Sequence, residues 1–483
     1  MKNIKSICLI VFCGLPFLTF GQTYAVDVTF NSGNSGVQGV VKTSVIQPDG
    51  KIIICGVFNS YNGVTRKDIA RLNADGSLDL TFDPGSSATS STIATIQDVA
   101  LDANGKIIVV GTFTSFNGVA RRHIARLNSN GSVDTSFSAG NLILSSQGIG
   151  DPMINTVKVK ADGKILIGGK FRILSSPNPI RYGFAGLDIN GTLDTTFVPT
   201  TNQLVDISSV NDIQFQSDNK IIVALTSGFN RAILRFNANG TFDTTFIDSG
   251  YVYGSFSVLV LPDDKLIVGG FLGLLGENGA DDTHRTVIKL NANGSLDNTF
   301  SVFDAQPSAS SNAVRTVKLF NNKILIGGNF SAYGGVNTNQ IARLNLDGTV
   351  DESFVVGTGA NNTISDVNID STNKIFLSGN FSSFNSTPVL GFARLTEGNL
   401  SIGDINSVTD DFSFINEQFQ YVFNSDNIFI KQIDVYDPLG KKLQVITNIN
   451  SQYYLMSVNF VTGVKIIKVT MADGSIKTIK TID

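Results

Sequence analysis

Apolar runs of strand length alternate along most of the chain with short clusters of Gly, Asn and Asp, the pattern of many short strands joined by tight turns. The pattern is periodic. One unit reads QPDGKIIICGVF (Gln47 to Phe58) and then IARLNADGSLDLTF (Ile69 to Phe82). The lysine of the first phrase recurs as Lys51, Lys106, Lys164, Lys220, Lys265, Lys323 and Lys374, at spacings of 45 to 58 residues. The second phrase recurs as often, beginning at Ile69, Ile124, Phe184, Ile233, Val287, Ile341 and Phe392. Each unit holds four apolar runs, so four antiparallel strands per unit are expected. Two-residue turns such as Asp49-Gly50, Asp75-Gly76, Asn104-Gly105 and Asn130-Gly131 join them, with φ positive at both central residues. A period of about 54 residues suits a propeller blade, whereas a parallel β-helix repeats at roughly 20 to 25 residues. The expected fold class is all-β: a seven-bladed β-propeller of four-stranded antiparallel blades over residues 22–400, followed by a small Ig-like β-sandwich over 401–483.

The phrase LDxTF closes the units, with its aspartate at Asp79, Asp134, Asp194, Asp243, Asp297 and Asp351. It occurs once more, as VDVTF (Val26 to Phe30, with Asp27), ahead of the first full unit, while the last unit has none. Residues 26–30 are therefore expected to supply the outer strand of the last blade and to join the ends of the ring, with Val28 or Phe30 packed into it. The competing candidate for that slot is Asn399 to Ile402.

Composition supports the strand reading. The chain of 483 residues has 47 Gly, 34 Phe, no Trp and 16% charged residues. Its acidic residues are almost all Asp, which favours turns, with only Glu277, Glu352, Glu397 and Glu417 as glutamates. Lys2 and Lys5 precede an apolar run from Ile7 to Phe20, too short to span a bilayer but suited to a secretory signal. Residues 1–21 are thus expected to be a signal peptide cleaved before Gln22, and the protein to be exported to the outer cell surface or secreted. Cleavage takes the formal charge from −4 to −6, and no basic run tracks phosphates, so nucleic acid is not expected as a partner. Cys55 is then the one cysteine left, which rules out an intramolecular disulfide. No transmembrane segment is expected.

Two resemblances follow from these phrases. GKIIVGGxF followed by RLNxDGxLDxxF, over residues 26 to about 396, resembles the delta-60 repeat family of bacterial extracytoplasmic proteins. That implies a propeller-like β fold and a surface or secreted location, with no defined catalytic activity. The fourth and fifth units depart from it, with Ser217-Asp218-Asn219 and Pro262-Asp263-Asp264 where DG is usual. After Thr396 the period stops. VYDPLGKKL, a Gly-opened strand ending KVT, and DGSIKTIK at the terminus resemble the C-terminal sorting domain of type IX secretion substrates. This implies the type IX machinery as a partner, although no PNP-like turn precedes the domain and Val464-Lys465 replaces the common Gly-Tyr pair. An ordinary adhesion-type sandwich is the other reading of these residues.

Candidate chemistry is sparse. The long, variable connections Ser86 to Thr92, Ser138 to Met153, Val198 to Ser208 and Ser301 to Ala313 fall on one rim, where loops on a rigid scaffold tend to bind ligands. Near the third strands stand Arg66, Arg121, Arg122, His123, Arg181, Arg231, His284 and Arg285, able to receive an anionic glycan or a carboxylate-bearing protein. Tyr61, Phe116 and Tyr333 offer rings for stacking. Recurrence at one register equally suits pairing and packing within each blade, and favours it. The seven LDxTF aspartates, one per blade, are too dispersed for the paired carboxylates of a glycosidase and are read as structural. With two histidines, His123 and His284, a three-histidine zinc site is excluded. NADGSLD lacks the first ligand of a calcium loop, Arg71 standing in its place. No metal, cofactor or catalytic residue is assigned. The expected role is a non-enzymatic binding module. The alternatives are a polysaccharide-active enzyme with its site on the variable rim or in the central channel, for which Glu277, Asp281 and Asp282 form the one register-breaking acidic cluster, and a structural spacer or adhesin.

Overall fold

The structure is a computed structural model that describes residues 22–33, 35–90, 94–137, 144–145, 151–173, 180–199, 207–227, 232–247, 251–274, 284–302, 313–398, 412–417, 420–425, 428–437, 441–457 and 464–482. The expected signal peptide lies outside them, as do most of the long rim loops and the cluster Glu277, Asp281 and Asp282. Among the described residues every regular element is a β-strand, and no helix is long and apolar enough to cross a membrane. The chain divides into two compact units, residues 1–397 and 398–483.

In the first unit each repeat folds as an antiparallel meander of three strands. The first repeat pairs Val37–Ile46, Ile52–Tyr61 and Ile69–Leu72 in that order. The order returns in Ile96–Leu101, Ile107–Gly111, Ile124–Leu127; in Met153–Val159, Ile165–Ile173, Arg181–Leu187; and in Ile207–Phe215, Ile221–Ser227, Ile233–Phe236. It continues in Tyr251–Val260, Leu266–Leu274, His284–Leu290; in Ala313–Phe320, Lys323–Asn329, Ile341–Leu344; and in Ile364–Ile369, Ile375–Gly379, Phe392–Gly398. Middle strands are apolar without alternation, as in Ile52, Ile53, Ile54 and Cys55, all fully buried, because a neighbouring sheet covers each face. One core joins Ile53 and Cys55 of the first repeat to Val99 and Ile107 of the second, and another joins Ile54 and Leu72 of the first to Phe376 and Phe392 of the last.

Three expectations are corrected. The LDxTF phrase is not a full fourth strand. In six repeats it makes a single bridge, from Leu72↔Leu78 to Leu344↔Val350, and then turns. Asp79 is the reason: its Oδ1 accepts the N–H of Thr81 at 2.9 Å and its hydroxyl at 2.6 Å, a local side-chain turn that competes with further pairing. The strand at the amino end is also displaced, spanning Gln22–Val26 rather than 26–30. It lies between Phe354–Val355 and Phe392–Gly398, runs parallel to the former, and ends where Asp27 Oδ1 captures Thr29. Val28 is 70% exposed, whereas Phe30 packs edge-on against Phe376 with ring centroids 5.8 Å apart.

The third correction concerns turn chemistry. At Asp49-Gly50 only Gly50 has positive φ, 80°, and Gln47 pairs with Lys51 across a three-residue loop, a type I turn closed by a left-handed residue. In the fourth, fifth and last repeats Asn219, Asp264 and Asn373 hold that left-handed position at φ 62° to 65°, which Asn and Asp tolerate best after Gly. Turns with positive φ at both centres occur instead at Asn62-Gly63, Asn117-Gly118, Gly334-Gly335, Asn385-Ser386 and Asn321-Asn322. Asn62, Asn117 and Asn385 also accept, through Oδ1, the N–H groups of Gly36, Ser86 and Gly359. The rim hairpins thereby hold the connections that precede their own repeats.

The first strands of successive repeats lie side by side, and Ile364–Ile369 lies against Val37–Ile46. Thr43 donates to Asp366 at 3.1 Å and Asn368 Nδ2 to the Ser44 carbonyl at 2.8 Å, so the first repeat touches the last.

The second unit has a three-stranded sheet, Phe412–Glu417, Gln420–Ser425 and Tyr453–Ser457, and a four-stranded one ordered Lys442–Ser451, Ile430–Tyr436, Val464–Met471, Ile476–Ile482. Tyr421, Phe423 and Met456 of the first share a core with Ile433, Val435, Ile467 and Val469 of the second.

Candidate functional site

The LDxTF aspartates organise a clamp. Asp79 Oδ2 receives Lys51 Nζ at 2.7 Å and Arg71 Nε at 2.7 Å, and Arg71 lies over Phe82 with its guanidinium carbon 5.0 Å from the ring centre. Its Nη1 continues to the Ser129 carbonyl in the next repeat's turn. The same reach links Arg126 to Ile189, Arg235 to Ala292 and Lys289 to Leu346. In the last repeat the aspartate comes from the amino end: Asp27 receives Arg394 Nη2 at 2.8 Å and Lys374 at 3.3 Å. Arg394 then donates to Ala74 of the first repeat, as Asn31 N–H does to Asp75. Burial alone would raise the Asp27 carboxyl, but Thr29 and Arg394 outweigh it and bring it down to about 2. Asp134 and Asp243 are held well below the usual carboxylate range in the same way, Asp351 falls to about 2, and Thr299 and Lys265 bring Asp297 there against a smaller effect of burial. The third repeat lacks the arginine. Gly186 stands there because Phe197 lies 2.9 Å from where a Cβ would project, and Asp194 keeps Lys164 at 2.7 Å.

The rim candidates do not converge on one site. Tyr61 is buried and donates to the Gly76 carbonyl at 2.6 Å; Phe116 is buried edge-on to Phe113, and Tyr333 lies in a repeat core. Arg66 and Arg121 turn back to the carbonyls of Thr65 and Ala120, while Arg122 is exposed. Arg181 is fully buried and donates Nε to the Phe197 carbonyl at 3.3 Å. His123 is buried against the Gly111 carbonyl, and burial lowers its pKa. His284 and Arg285 sit on a strand opposite Gly273 and Leu272, and Arg231 lies outside the described residues.

The structure instead gathers polar side chains along the first strands, which line a central channel of about 470 Å³. Each of these strands carries a bulge at one register, at Lys42, Gln97, Asn155, Asn211, Phe256, Arg315 and Ser365. A bulge re-aims a side chain out of the ladder, here into the channel. Asn155 reaches the Val210 carbonyl and Asn211 the Ser255 carbonyl, each one repeat onward. Asp98 and Asp212 accept the N–H groups of Val157 and Val258, at 2.9 and 3.0 Å. Lys158 lies 3.6 Å from Asp212 and Lys318 3.7 Å from Asp366. Burial raises the Asp98 carboxyl with help from Asp212, against Lys158 and two N–H groups. Burial also acts to lower Lys158, but Asp212, Asp98 and Asp366 outweigh it and raise it.

Sequence reasoning passed over this ring because its members differ in type. The signal was positional: the bulge residue stands nine residues before the repeat lysine in every repeat except the sixth, where the distance is eight because the hairpin turn is the shorter Asn321-Asn322. Among the described residues no group of three or more His, Cys, Asp or Glu is placed to hold a metal ion.

Residues 47–82, 103–137, 216–246, 261–300 and 321–354 match the family described as a β-propeller domain of unknown function, DUF5122. No curated protein matches the chain. Among solved structures, the extracellular domain of a two-component-system protein from B. thetaiotaomicron is 13% identical, with a TM-score of 0.40 over 95% of this chain and 58% of that one. Puromycin hydrolase is 12% identical, with a TM-score of 0.44 over 94% and 59%, so this chain spans less than two thirds of either protein. A gluconolactonase from Xanthomonas campestris is 12% identical, with a TM-score of 0.35 over 75% of this chain and 87% of its own. None of these likenesses transfers a site or an activity. The matched repeats and the strand meanders that carry them make the chain a β-propeller repeat protein.

Proposed function

We propose that residues 22–397 form a closed seven-bladed propeller that acts outside the cell as a non-enzymatic binding module, with the channel as its ligand site. The observation that carries this reading is the contrast in one ring: the lysine–arginine–aspartate clamp recurs in five of the seven repeats, while the channel bulge carries seven side chains of which only the two asparagines are alike. A rigid scaffold that carries variation at a concave site is the arrangement of a binding surface. The C-terminal unit is read as an Ig-like sandwich that delivers the protein through the type IX machinery. Support comes from its two sheets with a common core and from the VYDPLGKKL and DGSIKTIK phrases.

A second reading, a polysaccharide-active enzyme, has one observation in its favour: Asp98 and Asp212 share the channel, and the second raises the first, as in acid and base pairs. Both carboxylates are committed to backbone N–H groups of their own and the next repeat, which favours the structural role. Screening the full chain on a glycan array, with parallel assays for product release, decides between them. Binding without turnover is expected; turnover lost in Asp98→Asn would establish the enzyme.

A further inference from the structure

Four cations, Lys42, Lys158, Arg315 and Lys318, and three carboxylates, Asp98, Asp212 and Asp366, line the channel. They are not evenly matched. Lys158 and Lys318 have carboxylates within 3.7 Å, and each aspartate is further held by N–H or hydroxyl donors. Lys42 and Arg315 have no such partner among the described residues. Burial lowers the pKa of both, Arg315 lowers Lys42 further, and no carboxylate opposes either effect. The two positions belong to the first and sixth repeats and occupy the bulge register. The repeat between them places only the small Ser365 there, which leaves both long side chains room over the same stretch of wall. Arg315 lies against Phe256 of the fifth repeat, its guanidinium carbon 4.5 Å from the ring centre, which holds the fork in one orientation.

Lys42 is half-buried and Arg315 exposed on the channel wall, and the repulsion between them favours an anion that enters between them. We propose that Lys42 and Arg315, braced by Phe256, form a receptor for one anionic group, a carboxylate or sulfate carried by a sugar-sized ligand in the channel. This rests on the reading of the channel as the ligand site. A planar guanidinium takes two oxygens of such a group side by side, and the lysine ammonium adds a charge-assisted bond from the other flank. The remaining wall, the carboxamides of Gln97, Asn155 and Asn211, offers the donors and acceptors that hydroxyl groups require. A channel of about 470 Å³ lies within the range of small-molecule sites.

The test titrates the full chain with glucuronate, glucose 6-sulfate, inorganic sulfate and uncharged glucose by calorimetry, at low and high salt. At least one anion binds, glucose does not, and affinity falls as salt rises. Lys42→Met and Arg315→Gln each weaken binding by about tenfold or more, while Lys42→Arg retains it. Which of glucuronate and glucose 6-sulfate binds more tightly distinguishes a carboxylate from a sulfate receptor. Protection against thermal unfolding by the bound anion, measured on the unaltered chain, supplies a reading independent of how the variants fold. Equal affinity in Lys42→Met and the unaltered chain overturns the receptor. If the array finds ligands whose binding those substitutions leave unchanged, the receptor fails while the binding module stands. If the array is silent and no anion binds, both fail.

Discussion

Two rings of carboxylates run through this protein, and they behave oppositely. In the outer ring, Asp79, Asp134, Asp243, Asp351 and Asp27 each meet a lysine and an arginine within about 3.3 Å. The arginine covers an aromatic ring and, in most repeats, fastens the next turn. In the inner ring, Asp98, Asp212 and Asp366 occur in only some repeats, and two cations, Lys42 and Arg315, have no carboxylate within salt-bridge distance among the described residues. Repetition marks what the scaffold needs in every blade. A break in it, at a register where the scaffold needs nothing particular, marks where a ligand can be accommodated. The third repeat marks the limit of that rule, since its missing arginine is offset by Phe197 over Gly186 and by buried Arg181, a repair of packing with no site attached.

The contrast is open to experiment. Deleting Gln22–Asn31 removes an outer strand, the Asp27 clamp and Phe30 together, and should lower stability by on the order of 5 kcal/mol; a melt unchanged from the full chain would show that the ends do not hold the ring. Asp134→Ala leaves Lys106 without its carboxylate and the buried Arg126 with only Asp102, 3.5 Å away, and denaturant unfolding should report a loss of about 3 kcal/mol. The outer carboxylates, depressed to about 2 in Asp27, Asp297 and Asp351, contribute stability that is present above pH ~4 and lost as pH falls through ~2.

Asp68 has the opposite sign. Buried at the entry to a third strand in a left-handed conformation, φ 62°, it is pushed by burial up to about 7 against the opposing charge of Lys67. Folding therefore favours its protonated form, and its contribution is complete below pH ~4 and lost as pH rises through ~7. Asp68→Asn should remove that slope and stabilise the protein at pH 8 by on the order of 3 kcal/mol, read from unfolding curves at pH 5 and pH 8. The smallest effect belongs to the inner ring. Without ligand, Lys42→Met should leave stability within about 0.5 kcal/mol of the unaltered chain or raise it, because the ammonium has no partner to lose; a loss as large as that of Asp134→Ala would place Lys42 among the clamps.

Much of the fold was legible in the order of residues. The repeat, its antiparallel strands and the kinship of Asp27 with Asp79 depend on local patterning: apolar runs bury, Gly and Asn turn, and a recurring Asp implies a recurring partner. The chain alone did not show that Asp79 turns the backbone after one bridging residue, because strand length was judged from β-propensity while the carboxylate's bonds to Thr81 decide it. For Tyr61, Phe116 and Tyr333 recurrence favoured packing within the blade, but only the fold shows each ring buried, since a ring beside a loop can be covered or open. The channel was hidden for a deeper reason. Lys42 and Arg315 are 273 positions apart in sequence, and their neighbourhood exists only once the last repeat lies against the first. Period and strand type follow from interactions within one unit, whereas which charges face one another, and which remain without a counter-charge, follows from closure of the whole.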